Sequence, residues 1–373
     1  MNLNFSVPGV LIDPMPSGSN QDPMPSNSNE PMPSSGNSAE PAESVPSGLL
    51  AQALNSHRSA VVRASDKWTR TQTRGTSAAT VIWQWASSVR VNAIAREVLG
   101  NLRFAHGSYW LLPTMDDSGT LAAQATKLLS LKAPGAAKLQ AQLDLVLDAA
   151  EERPDRLTEI LVQARSLWPF WTAVSHVVPG QAPRTAELVA VAQAVAGHMG
   201  HQFKQVLAVP RPADLSPAVQ PCITTPGHGA MPSGHAVSAF MALGTLKALL
   251  PNSKVGSVDA VGVALDRTAR RIAANRVVAG LHFPLDNCAG WCVAETAFEV
   301  LSMMAGSSPN MPPSRTFDAA TTAVYTLPND DLPLSDDSVG STTTSNSGAV
   351  VRGPLLTLLW KAAEEELTRL QLN

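Results

Sequence analysis

The stretch from Lys204 to Asp286 limits the folds open to this chain, because it carries three short basic clusters separated by bends. The first cluster, Lys204-x6-Arg211-Pro212, follows a long apolar segment that contains no proline until Pro210. The pattern therefore predicts a helix that ends near Lys204, with Arg211 on the turn beyond it. The side chains of Lys204 and Arg211 can then converge on a ligand from one side of a pocket.

The second cluster, Pro232-Ser233-Gly234-His235, opens the apolar run AVSAFMALGTLKALL. Proline suits the first helical position, and the amides of Ser233 and Gly234 are expected to be unpaired donors at the helix start. The helix dipole also favours an anion there. This cluster therefore predicts a cradle for an oxyanion.

The third cluster is Arg276-x5-His282-x3-Asp286, within NRVVAGLHFPLD. Gly280 allows a break before His282, and Asp286 is close enough to accept a hydrogen bond from one ring nitrogen. The other ring nitrogen is then left basic and directed at a ligand. Because the first cluster ends one helix and the second begins another, the core cannot be divided there, and we expect one domain.

In this order the clusters resemble the three-part signature of the superfamily that joins type 2 phosphatidic acid phosphatases, bacterial non-specific acid phosphatases and vanadium-dependent haloperoxidases. The flanking segments ERPDRLTEIL, SLWPFWTAV and PADLSPAVQPCITTPGHGAMPSGHA are similar to soluble bacterial haloperoxidase-like members. The likeness extends over roughly residues 75–305. One position departs, because the family usually has Ser before the Arg of the third motif and this chain has Asn275, which can still donate a hydrogen bond.

The resemblance implies a role for each motif residue. His282 would take the apical position on the oxyanion, as the nucleophile of a phosphatase or as the single protein ligand of vanadate, with Asp286 orienting it. His235 would be the acid–base group. The residues implied to hold the remaining oxygens of a phosphate or vanadate are Lys204, Arg211, Ser233, Gly234 and Arg276.

The sequence favours a vanadate-dependent haloperoxidase that oxidises halide, bromide first, with hydrogen peroxide and an organic acceptor. The reason is His228, seven residues before His235, which resembles the second histidine of vanadium bromoperoxidases. An acid phosphatase that hydrolyses phosphomonoesters through a phosphohistidine is an alternative, because its site would differ from that of the haloperoxidase only in the anion it binds. A third interpretation is a non-catalytic oxyanion-binding or scaffold protein. The absence of either motif histidine would favour it, but both His235 and His282 are present.

We expect an all-α helical bundle with the site at helix ends, since apolar residues recur at helical intervals and alternating strand patterns are scarce. Segments such as LAAQATKLLSL are included as helices, and Trp83 and Trp85 are expected to pack in the interior. The C-terminal helix is expected to pack on its own bundle. The expected organisation is a disordered Pro/Ser/Asn-rich tail at 1–45, a helical domain at 46–305, a flexible loop at 306–352 and the helix at 353–373.

The composition limits which partners the protein can bind and in which compartment it is expected. A net charge of −3 argues against a general nucleic-acid binder. Three cysteines give no even disulfide framework and indicate a reducing compartment, with Cys288 and Cys292 on one face of a helix in the core. The start resembles no signal peptide and the sequence has no apolar span long enough for a bilayer, so a cytoplasmic protein without a membrane span is expected. The resemblance also allows a homodimer.

Overall fold

The computed structural model describes residues 52, 56–57, 81–112, 124–250, 259–324, 326–327, 334–347 and 350–370. The tail predicted at 1–45 and residues 371–373 lie outside the described residues.

Helices supply most of the described chain, and five of the longer ones carry proline in the first turn, where its missing N–H is not needed. The longer helices are α1 (Ser87–Leu99), α2 (Ala136–Ala149), α3 (Arg153–Gln163), α4 (Trp168–Ser175), α5 (Pro183–Leu207), α6 (Gly234–Leu249), α7 (Ala260–Val278), α8 (Pro284–Ala305) and α9 (Pro354–Arg369). Short helical turns lie at Ile82–Gln84, Ala150–Glu152, Pro212–Leu215, Pro217–Val219 and Asp336–Val339.

Helix α6 lies at the centre and packs on α5, α7 and α8. Its sequence is apolar on every side, which is the pattern of a helix surrounded by others. Gly290 of α8 allows a close approach, because a Cβ there would lie 2.8 Å from Ala236 Cβ and 3.1 Å from the Ser233 carbonyl oxygen. Cys288 and Cys292 of α8 are fully buried, which confirms the prediction that both belong to the core.

The expectation of an all-α fold is wrong in one respect, since the helical part is joined by a five-stranded sheet. The strands follow the order β1-β2-β3-β4-β5, with β1 (Leu102–Ala105), β2 (Ser108–Leu111), β3 (Thr126–Lys132), β4 (Ser314–Asp318) and β5 (Ser341–Thr344). Strand β3 pairs with β4 in parallel, with Leu129 opposite Arg315, and the other neighbours are antiparallel.

The sheet escaped the sequence reading because its strands are short and β3 is an almost continuous apolar run. Strand β3 occupies much of LAAQATKLLSL, and a buried run of that kind cannot be told from a helix by periodicity alone. Strands β4 and β5 and the turn Asp336–Val339 lie in the segment 306–352, which was expected to be a loop. The sequence holds one hairpin signal, Gly107, and in the structure His106 and Gly107 both have positive φ, as the two-residue turn between β1 and β2 requires.

Two expectations about packing have opposite outcomes. Trp85 is 38% exposed, so interior packing was wrong for it, while the Trp83 ring is partly buried with the Arg184 guanidinium 4.6 Å from its centre. Helix α9 packs on its own chain as predicted, because the Glu366 carboxylate accepts hydrogen bonds from the amides of Arg184 and Thr185 at the start of α5. Within the described residues, no helix is both long and apolar enough to cross a bilayer.

Candidate active site

Lys204 lies in the last turn of α5, as the sequence predicts. Its Nζ donates to the carbonyl oxygens of Gly229 and Ala230, each at 3.1 Å, and the side chain is buried. Burial, and then the charge of Arg211, lower the Lys204 pKa to about 7. The ammonium is therefore held by two carbonyl dipoles and is easily deprotonated.

Arg211 lies just after α5, where it precedes the helical turn Pro212–Leu215. Its guanidinium binds the loop of the second cluster and the loop of the third. Nη1 lies 2.9 Å from the Leu281 carbonyl oxygen and 3.0 Å from His282 Nε2, while Nε and Nη2 lie 3.1 Å from the His228 carbonyl oxygen and ring Nδ1. Arg211 thus joins the three clusters.

The second cluster begins α6, but not in the predicted register. The helix starts at Gly234 with Ser233 as its N-cap, so Pro232 precedes the cap. The Ser233 amide donates to the Asp286 carbonyl oxygen at 2.9 Å, which corrects the prediction that this amide is open to an anion. Among the described residues, the Gly234 amide has no hydrogen-bond partner, so the predicted cradle keeps one of its two amides.

The third cluster extends from the last turn of α7 to the first turn of α8, and Gly280 between them has a φ of 78°, which allows the predicted break. His282 Nδ1 lies 3.0 Å from Asp286 Oδ2, which also accepts from the Phe283 amide at 2.9 Å. Asp286 therefore both caps α8 and fixes the imidazole. Nδ1–H donates to the carboxylate, so Nε2 carries the lone pair and faces Arg211. Burial raises the Asp286 pKa to about 7.

Charged residues of all three clusters lie close enough to His282 to shift the pKa of its imidazole. Burial lowers it well below 6.5, and the charges of Arg211, Lys204, His235 and Arg276 lower it further. Each of the three clusters thus contributes a charge that lowers the pKa of this one imidazole, which stays neutral near neutral pH. A neutral, oriented ring surrounded by cations can attach to a tetrahedral anion.

Gln163, at the end of α3, is a site residue that sequence reasoning missed. Its Oε1 accepts from Arg276 Nη2 at 2.9 Å and from Asn275 Nδ2 at 3.0 Å. Asn275 Nδ2 also donates to Glu159 at 2.9 Å, so the residue that departs from the family pattern is tied to α3. The available signal was a glutamine three positions after Ile160, on the buried side of α3.

His235 is partly buried in the first turn of α6 and meets the same glutamine. Its Nε2 lies 3.3 Å from the Gln163 carbonyl oxygen, which favours the tautomer with Nδ1 unprotonated. Burial, and then the charge of Arg276, lower the His235 pKa to about 3. A bound dianion would oppose this shift and favour the protonated ring.

His228 also lies at the site, partly buried against Arg211. Its Nδ1 accepts from Arg211 Nη2, and its ring centre is 5.6 Å from that of His201 on α5. Burial, and then the charge of Lys204, lower the His228 pKa to about 4. His228 is therefore neutral near neutral pH and directly connected to the cation cluster.

A groove between α5 and α6 leads away from these residues. Its volume is about 170 Å³, and its lining includes Gln193, Gly197, His201, Lys204, Gly234 and Val237. Lys204 and Gly234 belong to both the groove and the cation cluster. The site therefore has room beside it for an organic group.

Comparison with known proteins agrees with this geometry. Residues 186–305 match the family profile described as the PAP2 superfamily, and this range contains every motif residue from Lys204 to Asp286. The chain therefore carries a PAP2 superfamily domain, a class whose members are typically enzymes that include phosphatases and haloperoxidases. No curated protein matches the chain at a significant level.

Proposed function

We propose that this chain hydrolyses phosphomonoesters, with His282 as the nucleophile. The observation that carries the proposal is the pairing of His282 Nδ1 with Asp286, which leaves a neutral Nε2 facing Arg211. The sequence alone favours a haloperoxidase. The groove of about 170 Å³ beside the site favours the phosphatase, because a phosphomonoester carries its organic group on the same phosphate that the cations bind.

The first half of the reaction forms a bond between His282 Nε2 and phosphorus and breaks the bond between phosphorus and the ester oxygen. His235, protonated in the presence of the dianionic phosphoryl group, gives its proton to the departing oxygen. Lys204, Arg211 and Arg276 stabilise the negative charge on the phosphoryl oxygens, with the Gly234 amide assisting. The alcohol then leaves.

In the second half, water attacks phosphorus and gives a proton to His235, and the bond from phosphorus to Nε2 breaks. Inorganic phosphate leaves and His282 returns to its neutral state. Asp286 holds the imidazole in one tautomer through both halves. No metal ion is required by these steps.

Vanadate-dependent halide oxidation is the second candidate, and His228 is the observation that favours it. The neutral Nε2 of His282 and the cations around it fit a pentavalent oxyanion, with His282 as the single protein ligand and Lys204, Arg211 and Arg276 holding the oxygens. Bound vanadate would supply activation of hydrogen peroxide toward halide. His228, fixed on Arg211, would hold or release a proton beside that anion.

A paired assay on one phosphate-free preparation separates the two. Hydrolysis of an aryl phosphate is measured without vanadate, and bromination of a phenolic dye is measured with hydrogen peroxide and orthovanadate. We expect hydrolysis that vanadate inhibits. Vanadate-dependent bromination with negligible hydrolysis, lowered in His228→Ala, would instead establish the second candidate. Tight phosphate binding with neither activity would leave an oxyanion-binding protein.

A further inference from the structure

A second groove lies beside the later half of α8, away from the oxyanion site. It is enclosed by α8 and the segments 307–313 and 345–346, and its volume is about 680 Å³. Glu295, on its helix side, comes nine positions after Asp286, which is roughly 14 Å along α8 at 1.5 Å per residue. The proposed reaction uses no residue of this groove.

The lining of this groove is negatively charged. Glu295 and Glu299 line it, and among the described residues its lining contains no Lys, Arg or His. Serine and asparagine side chains supply further hydrogen-bond acceptors, while Phe298 and Met311 supply apolar surface. Such a lining favours a cation that carries N–H donors and a short apolar stem.

Glu299 is already neutralised by the buried Arg315 of β4. The Arg315 guanidinium donates to both oxygens of Glu299, to both oxygens of Asp336 and to Thr296 Oγ1, at distances of 2.7–3.2 Å. These contacts use all five of its N–H donors. Arg315 therefore has no donor left for a third carboxylate.

Glu295 is that third carboxylate. Within the described part of the chain it makes no hydrogen bond and no ion pair, and it is only partly buried, so a ligand in the groove can reach it. Burial, and then the charge of Glu299, raise the Glu295 pKa to about 7. Asp336 raises this pKa as well, and the cations Arg315 and Lys247 lower it without pairing with Glu295. A cation supplied by a ligand would stabilise the ionised carboxylate.

Asn346 supplies a neutral acceptor on another wall of the groove. Its Nδ2 donates to the carbonyl oxygens of Lys127 and Pro312 at 3.1 and 2.8 Å, which fixes the orientation of the amide. The side chain is partly buried, and among the described residues its Oδ1 has no hydrogen-bond partner. An ammonium group has three N–H donors, so it can pair with a carboxylate and still donate to neutral oxygens.

A metal ion fits this lining less well. Both oxygens of Glu299 and both of Asp336 face Arg315, which leaves one carboxylate, whereas Ca²⁺ takes about six to eight oxygen ligands. In the part of the chain that the structure describes, no group of three or more His, Cys, Asp or Glu side chains could hold a metal ion.

We propose that this groove binds a small organic molecule through a primary ammonium group, which pairs with Glu295 while its aliphatic stem lies against Phe298 and Met311. This ligand is a cation, in contrast to the anion of the oxyanion site. The assignment depends neither on that site nor on the reaction proposed there.

Calorimetric titration of the full chain at pH 8 tests the proposal with n-butylammonium chloride, n-butanol and calcium chloride. Butylammonium should bind about tenfold or more tightly than butanol, because it forms a hydrogen-bonded ion pair. Its affinity should rise by up to about tenfold per pH unit as the pH approaches 7 and then level off, since a proton on Glu295 competes with the cation. Titration below pH 7 in two buffers of different ionisation enthalpy should show that binding releases a proton.

Glu295→Gln keeps the shape of the side chain and removes its charge. It should lower butylammonium affinity by about tenfold or more and abolish its pH dependence, while sulfate binding at the oxyanion site stays the same. Its thermal midpoint at pH 8 should not fall, because the carboxylate it removes is unpaired. Glu365→Gln, at an exposed position of α9, is the matched control.

Equal affinity for butylammonium and butanol, or butylammonium binding that survives Glu295→Gln, would overturn the assignment. Calcium binding that Glu295→Gln removes, without butylammonium binding, would overturn it in favour of a metal site. Absence of all binding by the folded chain would overturn it as well. If Glu295→Gln lowers the thermal midpoint, proton release by the unaltered chain decides: release upholds an ionising acid in the site, and its absence overturns the proposal.

Discussion

His282 Nε2 lies 3.0 Å from Arg211 Nη1, and this contact defines the resting state of the site. A guanidinium nitrogen can only donate, so Nε2 must carry a lone pair. An arriving anion would take over the Arg211 donor and uncover that lone pair at the same moment. Substrate binding and exposure of the nucleophile are then one event.

Asp286→Asn should lower kcat by about 10–100-fold with little change in KM, because it removes the negative charge that stabilises the imidazole of His282 when Nε2 bonds to phosphorus and the ring becomes cationic. The asparagine Oδ1 can still accept from the Phe283 amide, so the start of α8 should remain folded. Steady-state kinetics and the thermal midpoint test this. Asp259→Asn, at the N-cap of α7, is the matched control, and an unchanged kcat in Asp286→Asn would refute a catalytic role for the Asp286 charge.

Affinity for sulfate, which does not titrate in this range, should fall as the pH rises above about 7. The free protein loses the Lys204 proton near that pH, and a bound anion raises the Lys204 pKa again, so binding takes up a proton. Asp286, with a pKa of about 7, contributes in the same direction. The expected slope approaches tenfold in Kd per pH unit for each proton taken up.

Lys204→Met should reduce that slope and also weaken sulfate binding at pH 6. Titration calorimetry in two buffers of different ionisation enthalpy measures the proton uptake directly. Sulfate affinity that is constant from pH 6 to 9 in the unaltered chain would contradict the depressed Lys204 pKa.

Gln163→Leu should lower kcat/KM by about 10–100-fold, because it removes the acceptor that positions Arg276 and Asn275. Gln163→Glu keeps that acceptor, replaces Nε2, which has no hydrogen-bond partner among the described residues, and adds a negative charge that pairs with Arg276. The kcat/KM of Gln163→Glu should therefore lie close to that of the unaltered chain. Equal activity in both variants and the unaltered chain would remove Gln163 from the site.

The helices and the chain break at the third cluster could be predicted because they depend on local signals, while the meeting of the three clusters was expected from their resemblance to a three-part family signature. Glycine and proline mark the break around His282, and a spacing of four residues places Asp286 behind it. The sheet could not, because β3 and β4 pair across a separation that no local pattern reveals, with Leu129 opposite Arg315.

Two details of the site also depend on tertiary contacts. The Ser233 amide is paired only because α8 brings the Asp286 carbonyl oxygen to it. Gln163 joins the site only because α3 packs on α7. In each case the decisive partner is distant in sequence, so the residue alone predicts nothing about it.

Gly290→Ala should destabilise the chain by about 1–3 kcal/mol, because its Cβ would lie 2.8 Å from Ala236 Cβ and push α8 from α6. Gly197→Ala, where a Cβ meets no atom within 4 Å, should instead stabilise by about 0.5–1 kcal/mol. Urea unfolding measures both. Equal stabilities would show that the helix contact at Gly290 is loose.

The most direct test of the account is to trap the phosphorylated protein. The chain is mixed with a labelled aryl phosphate, quenched under alkaline conditions within one turnover, digested, and the phosphorylated residue is located by mass spectrometry. The account predicts phosphate on His282, absent in His282→Ala and retained in His176→Asn, an exposed position with left-handed backbone. Full hydrolysis without a phosphorylated His282, or phosphate on another residue, would contradict it.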